Sequence, residues 1–304
     1  MILYPIQKKW KYFIPVIKKT PDGLLMMASG VFVKLQKKEV IGKEMPRRMV
    51  VFVTNRCNLK CKHCFYIPHT SPVQELKLAE FQKMAVSAKN RLNQIIFTGG
   101  EPFLREDLFD IVLAFAENGC KTVNIITNGT FPEKTRLFLD KILEKTNLEL
   151  VFMISWDGPA DLHDKIRGIP GAAEKTLETL NLLSAYRKKN PKRFGDIFVS
   201  TSINRLNAKN LGETIAQIKS LKNIGHAFNF TRSADLHTFG VPKESLSGFD
   251  VEKNIIFNID EMKRVLECLD KEVWGKNNIS LLSLINRQTM QETVRILENK
   301  MNNF

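Results

Sequence analysis

The sequence predicts an α/β fold in which a parallel sheet curls into an open barrel. Apolar runs rich in β-branched and aromatic residues alternate with amphipathic helical stretches, a rhythm typical of repeated βα units. Right-handed crossovers between successive parallel strands would curl such a sheet. With 304 residues, 43% of them hydrophobic, the chain is long enough to bury one large core.

The predicted elements follow one another in strict alternation along the chain. Each predicted strand is a short apolar run: Met49–Val53, Gln94–Thr98, Thr122–Thr127, Leu148–Ser155, Ile197–Ile203 and Gly225–Phe230. The predicted helices between them are amphipathic: Leu76–Asn90, Glu106–Asn118, Glu133–Lys145, Gly171–Lys189 and Ala208–Leu221. Two more helices are expected near Ile255–Lys271 and Leu281–Asn299.

The first predicted strand leads directly into three closely spaced cysteines, Cys57, Cys61 and Cys64. Thiolates are the usual ligands of iron–sulfur clusters, and three cysteines on a four-iron cluster leave one iron open to bind and activate a substrate. The alternative is a structural zinc site that adds His63 or His69 as fourth ligand. Structural zinc loops usually bring two separated pairs of ligands, and the sequence has no second pair.

The second predicted strand ends in Gly99-Gly100-Glu101-Pro102. Two glycines at the end of a strand allow the backbone to approach a ligand closely, and Pro102 fixes the turn. Glu101 would offer its carboxylate, together with nearby backbone carbonyls, to a positively charged group such as an ammonium. Ligands of parallel sheets bind at the carboxyl ends of the strands, where both motifs fall.

With these motifs the chain resembles the radical S-adenosylmethionine (SAM) superfamily over roughly Pro46 to Phe230. The resemblance is nearest to the branch with sulfatase-maturating enzymes and the pyrroloquinoline quinone maturase. It implies a partial (β/α)6 barrel like a TIM barrel, and a [4Fe–4S] cluster on the three cysteines whose fourth iron is chelated by SAM. It also implies that His63 lies next to the adenine. The methionyl ammonium would be held by Gly99, Gly100, Glu101 and Pro102.

Two further strand ends supply candidate SAM contacts. Asn128 follows the third strand and can hydrogen-bond a ligand, although Asn-Gly is equally an ordinary turn. After the fourth strand, the sequence resembles the Ser-x-Asp-Gly…His-Asp-x-x-Arg-Gly stretch of the same branch. Ser155 and Arg167 are therefore candidates for the SAM carboxylate and ribose, because arginine binds carboxylates through two parallel hydrogen bonds.

The ends of the fourth and fifth strands hold four residues with less specific expectations. Asp157 either orients the loop after the fourth strand or, with His163, caps a turn. Ser202 and Asn204 lie at the end of the fifth strand and are candidates for contacts with the ribose.

The resemblance implies that a reduced, low-potential cluster passes one electron to SAM, leaving methionine and a 5′-deoxyadenosyl radical that abstracts hydrogen from the substrate. A reducing partner such as flavodoxin or ferredoxin would supply the electron. The expected substrate is a peptide or small metabolite in cofactor or natural-product biosynthesis. The alternatives are a radical SAM enzyme that modifies RNA and a non-catalytic iron–sulfur or zinc-binding protein.

A loop after the sixth strand is expected to contact the substrate through Arg232, Asp235 and His237; the alternative is a solvated loop. Residues 233–304 would form this loop and the C-terminal helices. The branch commonly carries a cysteine-rich C-terminal domain with auxiliary clusters, whereas here only Cys268 lies beyond Cys120. Either the protein dispenses with auxiliary clusters or the sequence is shortened.

Residues 1–45 are expected to form a basic extension ahead of a barrel of residues 46–232. The first 48 residues hold eleven Lys and Arg against three Asp and Glu, an excess that favours anionic partners such as RNA; a solubilising surface is the alternative. No RNA-binding motif accompanies the excess. The sequence lacks a signal peptide, a transmembrane run and a disulfide framework, so a cytoplasmic location is expected.

Overall fold

The computed structural model describes residues 47–64, 75–221, 223–231, 255–274 and 281–301. Six parallel strands in these residues form one sheet whose spatial order is the chain order. The strands are β1 (Arg48–Thr54), β2 (Gln94–Gly99), β3 (Thr122–Thr127), β4 (Glu149–Ser155), β5 (Phe194–Ile203) and β6 (Gly225–Phe230). The sheet does not close, because β1 and β6 do not pair with each other. The predicted parallel α/β architecture is confirmed.

Eight α-helices lie in the described residues, and seven of them match the predicted helices to within a few residues at each end. The helices are α1 (Leu78–Ser87), α2 (Leu108–Glu117), α3 (Pro132–Lys145), α4 (Ala160–Arg167), α5 (Ala172–Lys189), α6 (Leu211–Ser220), α7 (Ile259–Glu272) and α8 (Leu281–Met301). The one helix without a predicted counterpart is α4, in a segment that was expected to be a loop. None of the helices in the described ranges combines the length and apolar character needed to cross a bilayer.

The two faces of the sheet differ in exposure. Residues that pair across parallel strands share a face. One face is closed and apolar, with the register partners Phe97, Ile125 and Phe152 almost completely buried. On the other face, Ile126 and its partner Met153 are only half-buried. We call this second side, on which these strand residues are only half-buried, the open face.

Polar side chains line the open face near the carboxyl ends of the last three strands. Ser155 pairs in register with Ser200, and Ser202 pairs with Asn229. The Asn229 amide donates a hydrogen bond of 3.1 Å to the hydroxyl of Ser200. The open face therefore changes from apolar to polar as the strands approach the edge that carries the cysteine motif.

The C-terminal helices α7 and α8 form a second apolar core with β6. Buried side chains of all three elements meet there, and the ring of Trp274 packs edge-on against Phe228. The side chain of Asn286 on α8 accepts a hydrogen bond from the Phe228 N–H (3.0 Å) and donates one to the Phe228 carbonyl (2.9 Å). Helix α8 therefore lies along the outer edge of β6.

Candidate functional site

The three cysteines lie on one loop, residues 55–64, which follows β1 and which we call the cysteine loop. Helix α4 fixes the middle of this loop, because the Lys60 N–H donates to the Arg167 carbonyl (3.1 Å) and the Lys62 N–H to the Ile166 carbonyl (2.9 Å). Gly168 ends α4 with a φ of +80°, and a Cβ at this position would lie 2.5 Å from the Lys60 carbonyl oxygen. Only glycine permits this approach, so the unpredicted helix is a support of the cysteine loop.

Gly99 and Gly100 allow a close approach of backbone to backbone at the end of β2. A Cβ on Gly100 would lie 2.0 Å from the Arg56 carbonyl oxygen, and one on Gly99, whose φ is +124°, would lie 2.4 Å from the Thr54 oxygen. The Gly100 N–H donates to Thr54 and the Glu101 N–H to Arg56, both at 2.8 Å. The sequence predicted that the glycines make room for a ligand; among the described residues they make room for the cysteine loop.

Glu101 is fully buried, and its carboxylate joins the ends of β2 and β3. One oxygen accepts hydrogen bonds from the Phe103 N–H (3.0 Å) and the Thr127 hydroxyl (2.8 Å), and the other accepts from the Asn128 N–H (2.8 Å). Burial raises the pKa of Glu101 to about 7, although these hydrogen bonds oppose the rise. Three of about four lone-pair positions on the carboxylate are thus occupied by the protein, which leaves one for a ligand.

Asn128 connects β3 to the cysteine loop. Its amide nitrogen donates to the Asn58 side-chain oxygen (2.9 Å) and lies 4.0 Å from the Cys57 sulfur. Its amide oxygen accepts from the backbone and hydroxyl of Thr130, at 2.9 and 2.7 Å. The side chain therefore forms a turn, as one of the two expectations had it, and it also holds the first cysteine of the loop.

A buried ion pair lies directly against the second cysteine. The Arg167 Nη2 atom is 2.6 Å from an Asp157 carboxylate oxygen, and Nη1 is 3.6 Å from the Cys61 sulfur. The backbone N–H of Ser202 donates to the other Asp157 oxygen (3.0 Å). Burial opposes ionisation of both groups, but their mutual attraction lowers the pKa of Asp157 and raises that of Arg167. Asp157 thus fixes the position of a cation beside a cysteine ligand.

Two buried histidines flank this pair in different ways. His163 accepts a hydrogen bond from the Asp157 N–H (3.2 Å) and stacks on Trp156 with 4.7 Å between ring centroids, so it caps the turn. His63 lies with Nε2 3.8 Å from the Asp157 carboxylate. Burial lowers the pKa of each histidine to about 4, which leaves both neutral at pH 7. The Nδ1 atom of His63 and the Nε atom of Arg167 are buried without a hydrogen-bond partner among the described residues.

The surroundings of the cysteine sulfurs fit an iron–sulfur cluster. Burial raises the pKa of the Cys57 thiol to about 11 and also raises that of Cys61, although Arg167 opposes the latter. A cluster binds thiolates, whose charge is stabilised by donors close to the sulfur. Such donors are present, since the Leu59 N–H faces the Cys57 sulfur at 3.5 Å and Arg167 faces Cys61.

The alternative zinc site has a different requirement, namely several donors converging on one ion. Within residues 47–64, 75–221, 223–231, 255–274 and 281–301, no three His, Cys, Asp or Glu side chains are grouped in this way. His69, one of the two histidines considered for zinc, lies outside these ranges, as do the candidate substrate residues Arg232, Asp235 and His237.

The remaining candidates separate into half-buried and fully buried groups. Ser155 and Ser202 lie on the open face at the ends of β4 and β5. Asn204 is fully buried; its amide donates to the Ser202 carbonyl (3.2 Å) and the Thr231 hydroxyl (3.1 Å) and accepts from the Leu206 N–H (2.9 Å). Among the described residues, the Asn204 side chain thus joins its own turn to the end of β6, and its contact with a ribose stays a prediction.

Sequence reasoning missed two residues that hold the start of the cysteine loop. A Glu75 carboxylate oxygen accepts from the Asn55 N–H (3.0 Å), and Arg105 donates to the Val53 carbonyl (2.9 Å) while forming a two-pronged pair with Asp107. The sequence offered one signal, because Arg105 and Asp107 immediately follow the Gly-Gly-Glu-Pro turn.

Comparison with known proteins gives a family match over the region that contains the cysteine loop and most of the sheet. A model of the radical SAM superfamily matches residues 51–215, from β1 into α6. The AdoMet-dependent heme synthase of Oleidesulfovibrio alaskensis is 35% identical over 136 residues, which are 43% of this chain and 33% of that protein. The subtilosin biosynthesis protein AlbA of Bacillus subtilis is 28% identical over 238 residues, which are 75% of this chain and 49% of that protein.

A solved structure shares the fold. The structure of SuiB from Streptococcus suis bound to its precursor peptide SuiA superimposes with a TM-score of 0.54 at 15% identity, covering 83% of this chain and 52% of that one. The chain thus spans about a third to a half of the length of these proteins.

Proposed function

Because the chain belongs to the radical SAM superfamily, we propose that it binds a [4Fe–4S] cluster through Cys57, Cys61 and Cys64 and uses it to cleave SAM reductively. When bound, such a cluster supplies one electron to SAM, which yields methionine and a 5′-deoxyadenosyl radical that takes a hydrogen atom from the substrate. The observation that carries the proposal is the cysteine loop, whose sulfurs lie beside a buried guanidinium and whose backbone is joined to the ends of β2 and α4.

Arg167 has two roles in this proposal. Its Nη1 atom stabilises the thiolate of Cys61, and its position is fixed by Asp157. Its Nε atom has no partner among the described residues, so it is available to the carboxylate or ribose of SAM. A cation shared between a cluster ligand and the carboxylate of SAM would keep the two at a fixed separation.

The other SAM contacts are assigned by exposure and by unsatisfied polar atoms. Glu101, with one lone-pair position left, would bind the methionyl ammonium together with the carbonyl groups of Gly99 and Gly100. The buried Nδ1 of His63 would face the adenine. Ser155 is half-buried on the open face and would contact the ribose. In this assignment Asn128 and Asn204 position loops and do not touch SAM.

We propose a substrate that is a peptide or a small metabolite in cofactor or natural-product biosynthesis. The names of the related proteins support this class, since one makes heme and another acts in the biosynthesis of a bacteriocin. The open face has apolar side chains at Ile126 and Met153 and polar ones at Ser200 and Asn229. This combination suits a substrate that has both an apolar and a polar part. The basic extension that motivated an RNA substrate lies outside the described residues.

Anaerobic reconstitution tests the cluster. The protein should bind about four irons and four sulfides. Replacing Cys57, Cys61 or Cys64 by alanine should abolish this binding, whereas Cys120→Ala and Cys268→Ala, matched controls outside the cysteine loop, should retain it. Stoichiometric zinc without iron in anaerobically isolated protein would contradict the proposal.

Incubation of the reconstituted protein with SAM and dithionite tests the reaction. Methionine and 5′-deoxyadenosine should form, and both should be absent in the Cys61→Ala variant. A non-catalytic cluster protein would yield neither product. S-adenosylhomocysteine as the sole product would indicate polar methyl transfer and exclude the proposed cleavage.

A further inference from the structure

Three lysines lie at the surface around the cysteine loop. Lys60 and Lys62 are in the loop itself, on either side of Cys61, and Lys165 is in the last turn of α4. Their side chains are exposed, whereas Cys61 between them faces the buried Arg167. We call these three lysines the basic rim.

The fold holds the three lysines of the basic rim next to one another and leaves their positive charge without a carboxylate partner among the described residues. The hydrogen bonds from the Lys60 and Lys62 N–H groups to the last residues of α4 place both lysines next to Lys165. None of the three has an ion-pair partner among the described residues. The Asp164 carboxylate is engaged by the backbone N–H groups that begin the next helix, and the exposed Asp161 lies in the first turn of α4, away from the loop. The rim is therefore net positive.

We propose that the basic rim is the docking surface for the protein that reduces the cluster, a one-electron carrier with an acidic surface. The inference rests on the proposed function. SAM and the substrate occupy the side of the cysteines that faces Arg167 and the open face, so an electron must enter from the solvent side of the loop. Uncompensated surface cations raise the rate of encounter with an anionic partner and orient it.

The proposed step is the transfer of one electron from the carrier to the cluster. The reduced carrier loses one electron and the cluster gains it; no bond is formed or broken, and no proton is transferred. Because Lys60 and Lys62 flank the proposed cluster ligand Cys61, a carrier that contacts them would lie close to the cluster.

Direct binding tests the surface without any turnover. An oxidised bacterial flavodoxin, which is acidic, serves as the probe for the cluster-loaded protein. The double variant K60E/K62E should weaken binding about tenfold at low salt, because rim charges govern encounter with a charged partner. The control K188E/K189E changes charge equally at the exposed last turn of α5, at the opposite edge of the sheet, and should stay within about twofold of the wild type.

Reduction kinetics provide the second readout. With dithionite, which needs no docking, K165E, whose substitution lies outside the cysteine loop, should retain its iron and cleave SAM at the wild-type rate. With limiting reduced flavodoxin, its rate should fall about tenfold. The wild-type rate should fall as salt rises from about 50 to 200 mM, and that of the variant should fall less. K165E should also weaken flavodoxin binding even if K60E/K62E fails to hold a cluster.

Specific results would overturn the docking proposal. One is unchanged flavodoxin affinity in both K60E/K62E and K165E. Another is loss of tRNA binding in these variants with flavodoxin binding intact, which would assign the rim to RNA. Absence of iron and of dithionite-driven SAM cleavage in the wild type would instead refute the proposed function, so the two failures are distinct.

Discussion

The substitution Asp157→Asn isolates the buried ion pair beside Cys61. Asparagine keeps the size of the side chain and can still accept the hydrogen bond from Ser202, which in the wild type is 3.0 Å long. It removes the negative charge 2.6 Å from Arg167. The guanidinium then remains buried beside a neutral thiol with no counter-charge.

The expected destabilisation follows from the burial of both partners. Asp157 is fully buried and the side chain of Arg167 is 9% exposed, so solvent screens their interaction little. Removing one partner of a buried ion pair destabilises proteins by about 3–5 kcal/mol. Asparagine retains one hydrogen bond, so we expect about 3 kcal/mol, a large share of the 5–15 kcal/mol that typically stabilises a folded protein.

Thermal and urea unfolding of the cluster-free protein, followed by circular dichroism, would measure this loss. A change of about 3 kcal/mol corresponds to a fall in Tm of about 6–12 °C for a domain of this order of size. The matched control is Asp161→Asn on α4, where the carboxylate is exposed; it should change stability by less than about 0.5 kcal/mol.

The result that would refute the reasoning is equal stability of the two variants. It would mean that Arg167 does not depend on Asp157 for compensation of its charge. The proposed placement of a fixed cation beside Cys61 would then lose its support, and with it the assignment of Arg167 to both the cluster and SAM.

Two further predictions concern the supports of the cysteine loop. Gly100→Ala should destabilise the protein by about 1–3 kcal/mol and lower its iron content after reconstitution, because the new methyl group would overlap the Arg56 carbonyl. The control Gly212→Ala in α6, where a Cβ meets nothing within 4 Å, should be neutral or slightly stabilising; equal iron loss in both would contradict the steric account. The second prediction is pH-dependent: the pKa of Glu101 is raised from 4.5 to about 7, so the folded state binds the proton more tightly than the unfolded state. Its contribution is therefore fully present below pH 4.5 and is lost as pH rises through 7, by about 3 kcal/mol in total. Glu101→Gln should remove this slope from urea denaturation measured between pH 5 and 8, and a variant with the wild-type slope would exclude Glu101 as its source.

The sequence was sufficient to predict the sheet because buried parallel strands leave a local signal. Each is a continuous apolar run, and the end of each run marks an edge where loops gather. Helix α4 left a weaker signal, since its eight residues include few apolar ones. Its boundaries were nevertheless encoded by Pro159 before its first residue and by Gly168, which adopts the left-handed conformation at its end.

The partners of the site residues were harder to predict because they depend on chain segments far apart in sequence. The sequence placed Glu101 at the end of β2, as the structure has it. It gave no sign that the Glu101 carboxylate bridges the ends of β2 and β3. The pair formed by Arg167 and Asp157 needs the path of α4, which brings residues ten positions apart into contact. Local sequence patterns therefore indicate which functional groups are present. Contacts between loops that are distant in sequence decide which of these groups remain free to bind a ligand.

The amide of Asn286 has a consequence for how molecules of this protein meet each other. It occupies both hydrogen-bonding groups of Phe228, the positions that a neighbouring strand would use. An exposed strand edge is a template for pairing between chains, and proteins protect such edges with covering elements. One side chain on α8 therefore contributes to keeping the molecules apart at high concentration, independently of any chemistry at the cysteine loop.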